Sequence, residues 1–494
     1  MESTGSNWLY PTALLCVCGF LSNVRPSEPF LTPYLMGPDK NLTEQQVNEI
    51  FPVWTYSYLV LLFPIFLATD YLRYKPIIVL QGAALIVTWL MLLCAQGLLA
   101  MKFLEFFYGM VTASEVAYYS YIYSVVDFNM YQKVTGYCRC ATLVGYTIGS
   151  ITGQILVSFA EVSLFHLNVI SLVCVAIGFT TSVFLPMPQK SMFFHRVKAD
   201  YNGFKIKHDG SMSEEEELES ASTTPLNRGL DNANSMLNDH LPEPIDSSSY
   251  TNEIMNKKPF KRICIVLVML WKTFLQCYSS WPLLCWSAWW ALSTCGYFQI
   301  VNYIQVLWER IRPFQSSQIY NGIVEAASAL LGAVAAFVVG YVKISSIWSE
   351  VALLVFSLVV AVSVFLMDTL QNIWVCYVCY IVFRIIYMML ITVATFKIAA
   401  NLSVELYALV FGVNTFVALV LQTLLTLIVV ESSLLNLDIF GQFLAYSVYF
   451  GVVALLFLIF GVYNIVKKYR EKPRPHENIS GCLDCRNEVT SKIS

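Results

Sequence analysis

Charge is what this sequence has least of. Asp, Glu, Lys and Arg make up 13% of its 494 residues, about half the ~25% of an average soluble chain. The few charges are also uneven: residues 187–272 hold 23 of the 63, residues 467–494 hold 11, and 29 are spread over the other 380. With 57% hydrophobic and 15% aromatic residues, a water-soluble globule of this composition would expose large apolar patches and aggregate. An ordinary cytosolic enzyme, a disordered protein and a nucleic-acid binder are excluded, and the net charge of −3 gives no hint of a polyanionic partner. What remains is a chain whose solvent is mostly the lipid bilayer.

Catalytic motifs are missing too. There is no GxxxxGKS/T loop, hence no ATP motor in the chain, and no HExxH or GxSxG motif. The 14 cysteines fall mostly in apolar stretches, where a free thiol behaves as a small hydrophobe. Cys376/Cys379 and Cys482/Cys485 have CxxC spacing. A structural zinc site needs four ligands, and only His476 lies near the second pair, so packing is the plainer reading. The expectation is no enzyme, no cofactor and no metal, and transport, if that is the task, is secondary or facilitated.

A bilayer crossing takes about 20 apolar residues at 1.5 Å each. Twelve such stretches occur, near 9–34, 51–69, 75–96, 102–126, 134–159, 163–185, 281–307, 318–341, 350–367, 372–396, 404–430 and 440–465. The first lacks the basic leader and small-residue cleavage site of a signal peptide. Its second half, Arg25 to Tyr34, is polar and rich in proline, which predicts a broken or kinked helix. The spans fall six and six around 187–272, where Glu214 to Glu217 and Ser/Asn/Thr clusters read as a disordered linker. The predicted division is 1–186, an N-terminal six-helix half; 187–272, a cytoplasmic linker; 273–466, a C-terminal six-helix half; and 467–494, a cytoplasmic tail. Placing linker and termini in the cytoplasm puts 24 of the 30 Lys and Arg inside, four outside (Lys40, Lys102, Arg310, Arg312) and two within spans, Arg25 and Arg384, a positive-inside bias. The sequon Asn41-Leu42-Thr43 then lies outside as a glycosylation candidate, while Asn401 and Asn478 lie inside.

Two six-helix halves joined by a cytoplasmic linker describe an all-α membrane protein of major-facilitator architecture, which binds substrate near the midplane between its halves. Asp70 and Arg73, in the loop after the second span, read either as a gate or as an ordinary positive-inside loop. Ionisable groups at membrane depth are functional candidates by default: Glu28, Glu105, Glu115 and Glu325, against Arg25 and Arg384. On the fourth span Glu105, Tyr108, Thr112, Glu115 and Tyr119 fall within an arc of about 80°. Glu105 and Glu115 are about 15 Å apart along the axis, so both cannot hold one small group; one could bind ligand while the other serves a gate or a proton. Phe51, Trp54 and Tyr58 share a face, as an interfacial aromatic belt or as a clamp for a cationic or planar ligand. Gln299 and Asn302, a turn apart, can face a cavity or hydrogen-bond between helices. Glu325 lines a cavity or forms a buried pair with Arg384. An excess of acids over bases at depth suits a cationic ligand or a proton site.

The segments RPSEPFLTPYLMGPDKNLT (25–43), NEIFPVWTYSYL (48–59), TDYLRYKP (69–76), EFFYGM (105–110), STCGYFQIVNY (293–303), IYNGIVEA (319–326) and YALVFGVNTF (407–416) resemble the reduced-folate and thiamine carrier family over almost the whole chain outside the linker and tail. Within it, the folate-carrying branch has Arg where Glu115 stands and Lys where Gln422 stands. A folate cavity needs cations to meet two carboxylates, whereas thiamine carries a permanent thiazolium charge and a flat aminopyrimidine. The resemblance therefore implies a plasma-membrane importer of thiamine, working by alternating access. It implies that Glu105 partners the aminopyrimidine, that Tyr108, Phe51 and Trp54 stack on the rings, and that Glu28, Trp89, Tyr146, Asn302 and Glu325 complete the cavity. Asp70, Arg73, Glu115 and Arg384 are the gating or coupling candidates. Arg384 fits a cation site poorly and is left between pairing with Glu325, a phosphate ester of thiamine and a counter-anion. Proton exchange and uniport both stay open, as do pyridoxine, thiamine phosphates and cationic drugs as further cargo. The rivals are a folate or other organic-anion exchanger and a non-transporting membrane sensor.

Overall fold

A computed structural model describes residues 9–125, 131–188, 278, 281–314, 319–341, 346–399, 404–431 and 437–470. The predicted linker beyond residue 188, the tail beyond residue 470, the sequons at Asn401 and Asn478 and the pair Cys482/Cys485 lie outside the described residues.

In lipid every backbone polar group needs an internal partner, and an α-helix supplies nearly all of them within one segment. The described residues are accordingly helical. In chain order they form α1 (Leu9–Asn23), a 3₁₀ turn (Glu28–Phe30), α2 (Leu31–Met36), α3 (Glu44–Tyr71), α4 (Lys75–Cys94), α5 (Leu98–Val125), α6 (Tyr131–Ser158), α7 (Leu164–Val183), α8 (Trp281–Ile311), α9 (Asn321–Tyr341), α10 (Ser346–Thr369), α11 (Ile373–Ala399), α12 (Val404–Val429) and α13 (Ile439–Arg470). Every predicted span coincides with one of these, the first being the composite α1–3₁₀–α2. Eight described helices are long and apolar enough to cross a membrane. The helices α5 and α8 are as long but more polar, because they carry Glu105, Glu115, Gln299, Asn302 and Gln305.

The break in the first span falls where predicted. Pro26, Pro29 and Pro33 remove three backbone donors within eight residues, and the chain leaves α1 after Asn23 to re-enter helix at Leu31. The bend lies against α6 at Gly149 and Gly153, where any Cβ would run into the backbone of Val24, Arg25 and Pro26. The second span is longer than predicted and starts at Glu44. Thr43 caps it by accepting from the Gln46 backbone N–H, and Gln46 returns the bond through its side chain, a reciprocal capping box. That polar first turn has no apolar signature to read. Lys40, expected as an external charge, is only 7% exposed. Its ammonium donates to the Ala95 carbonyl and sits 5.8 Å from the Tyr34 ring, and burial holds its pKa below the usual lysine value.

The helices pack as two bundles. In the first, α1 packs on α6 and α7, and α4 and α5 pack on each other and on α7 and α3 respectively. In the second, α8 packs on α11, α12 and α13, while α9 pairs with α11 and α10 with α11 and α13. The bundles meet where α6 lies on α9, α3 on α12, and α8 on α2 and α3. This is the major-facilitator fold: twelve helical segments among the described residues, in two six-helix halves.

Candidate substrate-binding cavity

A cavity of about 450 Å³ lies between the halves. Glu28, Phe51, Trp54, Trp89, Glu105, Tyr108, Tyr146, Asn302 and Glu325, the nine residues predicted for the substrate, all line it, as do Glu115 and Arg384. The α5 face was legible because helical geometry puts Glu105, Tyr108 and Glu115 on one side. Tyr58, on the same face as Phe51 and Trp54, is instead buried beside Trp54 at 5.9 Å. Gln299 does not face the cavity either. Three residues advance a helix by 300°, so Gln299 and Asn302 point about 60° apart. Gln299 is fully buried among Thr426, Tyr446 and Gln422, and Gln422 in turn donates to Thr55 of the other half. Gln422, the position read for substrate branch, therefore sits in helix packing and not among the cavity residues.

Two arginine–glutamate units flank the cavity. In the first half Arg25 Nε lies 3.2 Å from Glu28 Oε2. Arg25 Nη1 donates to Tyr108 Oη at 3.1 Å, and that hydroxyl donates to Glu28 Oε1 at 3.0 Å. The guanidinium lies 5.6 Å from the centroid of the Trp89 ring, within cation–π range. In the second half Arg384 Nη1 lies 3.3 Å from Glu325 Oε2. Tyr380 accepts from the same arginine at 2.9 Å and donates to Glu325 Oε1 at 2.8 Å. Tyr146 of α6 donates to Glu325 Oε2 at 2.7 Å from across the interface. Of the readings left open for Arg384, the geometry gives pairing with Glu325.

Among the described residues neither Glu105 nor Glu115 makes a hydrogen bond or salt bridge through its carboxylate. Glu105 is 5% exposed and faces the same cavity as Phe51, Trp54 and Tyr108. Glu115 lies farther along α5, with Tyr118, Tyr119 and Thr142, and is exposed to the cavity. Four acidic side chains against two arginines leave the cavity with more acids than bases, and its aromatic walls favour a flat cation.

Asp70 and Arg73 lie apart, Asp70 in the last turn of α3 and Arg73 in the turn between α3 and α4. Asp70 is buried and accepts from the Tyr74 hydroxyl. Arg73 (φ 60°) and Tyr74 (φ 67°, ψ −58°) adopt positive φ, and Lys75 N donates to Arg73 O to close a γ-turn around Tyr74. A non-glycine residue in that conformation is rare and strained. Asn41 is exposed. Cys376 is fully buried, and no group of three metal-ligating side chains occurs among the described residues. Sequence reasoning missed Tyr297, Phe298 and Gln305, which also line the cavity. Tyr297 lies 5.7 Å under Arg384 and stacks on Tyr387 at 3.9 Å.

These features define a membrane carrier of the major-facilitator class, and solved structures share the fold. The nucleoside transporter NupG superposes with a TM-score of 0.56 at 11% identity, over 91% of this chain and 99% of its own. A POT family transporter in complex with a thioalcohol-conjugated peptide gives 0.60 at 12%, over 92% and 96%. The family model described as Reduced folate carrier matches residues 6–445. The chain is 60% identical to human Thiamine transporter 1 over 95% of its length and 93% of the relative's. It is 51% identical to human Thiamine transporter 2 (96% and 95%) and 39% identical to the human Reduced folate transporter (92% and 72%). The chain belongs to the reduced folate carrier family.

Proposed function

We propose that this protein carries thiamine into cells across the plasma membrane by alternating access, with both termini cytoplasmic, residues 1–186 and 273–466 as its moving halves, and a glycan on Asn41. The observation that carries the reading is the pair of unpartnered carboxylates, Glu105 and Glu115, in a cavity walled by Phe51, Trp54, Trp89 and Tyr108. A thiazolium needs negative charge, an aminopyrimidine needs a carboxylate acceptor, and both rings need flat apolar surface. Relatives at 60% and 51% identity bear the name thiamine transporter, which points the same way. Glu105 is the acid that meets the aminopyrimidine, Phe51, Trp54 and Tyr108 stack on the rings, and Asn302 and Tyr146 supply polar contacts. Each good aromatic contact to a desolvated cation contributes roughly 1–2 kcal/mol, and three with one ion pair reach the ~8 kcal/mol of micromolar binding. Glu28 and Glu325 act with their arginines as hydrogen-bonded walls of the cavity. Pyridoxine and cationic drugs share the required flatness or charge and are further cargo to test, and carboxylates at depth are compatible with proton exchange. A dianionic folate would face Glu105 and Glu115 without a free cation among the described cavity residues.

The test is uptake of radiolabelled thiamine by cells expressing the chain, competed with methotrexate and pyridoxine at two pH values. Thiamine uptake exceeding methotrexate uptake is expected, and Glu105→Gln lowers it at least about tenfold, since losing one partner of a desolvated charge pair costs 2–5 kcal/mol. Normal uptake by Glu105→Gln removes that residue from the site.

A further inference from the structure

The contacts between the two halves include a set of amides at the end of the molecule that carries the loop at 37–43. Gln305 of α8, in the second half, reaches the break in the first span. Its Oε1 accepts from Thr32 N at 3.2 Å and its Nε2 donates to Glu28 O at 3.1 Å. Thr32 N and Glu28 O are four residues apart, the donor and acceptor that an unbroken α-helix would join to each other. Here the side chain of another helix is inserted between them, and it serves one of the orphan N–H groups at the start of α2.

The reverse arrangement stands beside it. Gln154 of α6, in the first half, is 2% exposed. Its Oε1 accepts from Gly322 N at 3.0 Å, and its Nε2 donates to Ile319 O at 2.8 Å. It thus serves an orphan N–H at the start of α9, in the second half. Gly322 permits the approach, because a Cβ there would collide with Ser150 O and Gln154. A third amide completes the set. Pro33 has no N–H to offer the Pro29 carbonyl, and Asn321 Nδ2, again from the second half, lies 3.4 Å from it. The asparagine is itself oriented by Tyr377, whose hydroxyl donates to its Oδ1 at 2.8 Å.

We infer that Gln154 and Gln305 are positioning residues of the transport cycle: each half caps a helix N-terminus of the other, and these reciprocal amide caps hold this end of the carrier shut. The inference rests on the alternating-access reading. A primary amide suits the task because one flat group offers a donor and an acceptor side by side. A carboxylate offers only acceptors, and an aliphatic side chain neither. When the halves part, water can serve the same backbone groups, so the caps favour closure without trapping it. Each such bond is expected to shift the open-to-closed ratio by roughly two- to tenfold. Gln305 also lines the cavity and holds the backbone of Glu28, so closure at this end and the placement of a cavity carboxylate depend on one side chain.

The experiment follows the distance across the closed end by single-molecule energy transfer. Dyes are attached through noncanonical amino acids at Asp39 and at Leu370, which are exposed on opposite halves, in the full chain in lipid nanodiscs without cargo. Gln305→Leu and Gln154→Leu each raise the separated population about fivefold or more. Gln305→Glu, isosteric but without the donor, moves in the same direction and serves if a leucine variant fails to fold. Asn321→Ala raises the separated population too. Adding Pro33→Ala, which returns an N–H next to the Pro29 carbonyl, brings Asn321→Ala back toward wild type. Folded glutamine variants with the wild-type distance distribution overturn the inference. Thiamine uptake is measured separately on the wild-type chain. Shifted variants beside a wild type that carries no thiamine sink the cargo reading and leave the caps standing, whereas a wild type that carries thiamine beside unshifted variants does the opposite.

Discussion

Arg25 and Arg384 sit in matched surroundings, one in each half. Each meets a glutamate at 3.2–3.3 Å, each donates to a tyrosine hydroxyl that donates onward to the same glutamate, and each lies 5.6–5.7 Å from an aromatic ring. The differences are in burial and in reach. Arg25 and Glu28 are three residues apart in one chain segment, and their side chains are 11% and 23% exposed. Arg384 and Glu325 come from α11 and α9, are 8% and 5% exposed, and are joined by Tyr146 of the opposite half. The side chains of the first unit bond within one half; those of the second bond across both. One chemical motif thus serves a wall in one place and a link between moving bodies in the other.

Three perturbations sharpen that contrast. The largest effect is expected from Glu325→Gln, which leaves Arg384 buried without its counter-charge. Removing one partner of a buried pair costs about 3–5 kcal/mol, read as a lower unfolding temperature of the purified carrier. Glu28→Gln, at the wetter pair, should cost less than half as much, and equal losses would dissolve the distinction. Next comes Tyr146→Phe. It removes the bond to Glu325 across the halves, about 1.5–3 kcal/mol for a bond to a charged group, along with the polar contact proposed for the substrate, and should change the rate of thiamine uptake several-fold while lowering the unfolding temperature less than Glu325→Gln does. A large stability loss instead would make Tyr146 a packing residue. The smallest effect is expected from Arg25→Gln. It frees the negative charge of Glu28 at the cavity wall and should tighten thiamine binding a few-fold at low salt, an advantage that fades as salt screens it. Weaker binding at every salt concentration would show that Arg25 is needed to aim Glu28.

The fold was largely legible from the sequence, because lipid leaves few options for a backbone and a run of twenty apolar residues states its length directly. The bend near Glu28 was legible for a related reason: three prolines in eight residues cannot stay in one helix. The face of α5 could be read from its period. What could not be read depends on partners distant in sequence. Gln299 and Asn302 looked equivalent until neighbouring helices fixed which side of α8 was packed and which was open. Pairing of Arg384 with Glu325 was one reading left open, but the choice among the alternatives depended on Glu325, Tyr380 and Tyr297, which are assembled from three helices. Gln154 and Gln305 carried no signal at all, since a glutamine in an apolar helix looks the same whether it caps a foreign helix or bonds within its own.

The amides at the 37–43 end have an electrical consequence. Apart from the exposed pair of Arg310 and Glu44 at 3.6 Å, the cross-half bonds described at that end join neutral groups, so parting them moves little formal charge through the membrane field. The acids without a hydrogen-bond or salt-bridge partner lie deeper, at Glu105 and Glu115. A field of 100 mV acts on each elementary charge with about 2.3 kcal/mol across the full bilayer. An empty carrier and one loaded with a cation beside Glu105 therefore reorient under different electrical loads. Voltage acts on what the carrier holds more than on the joint that opens.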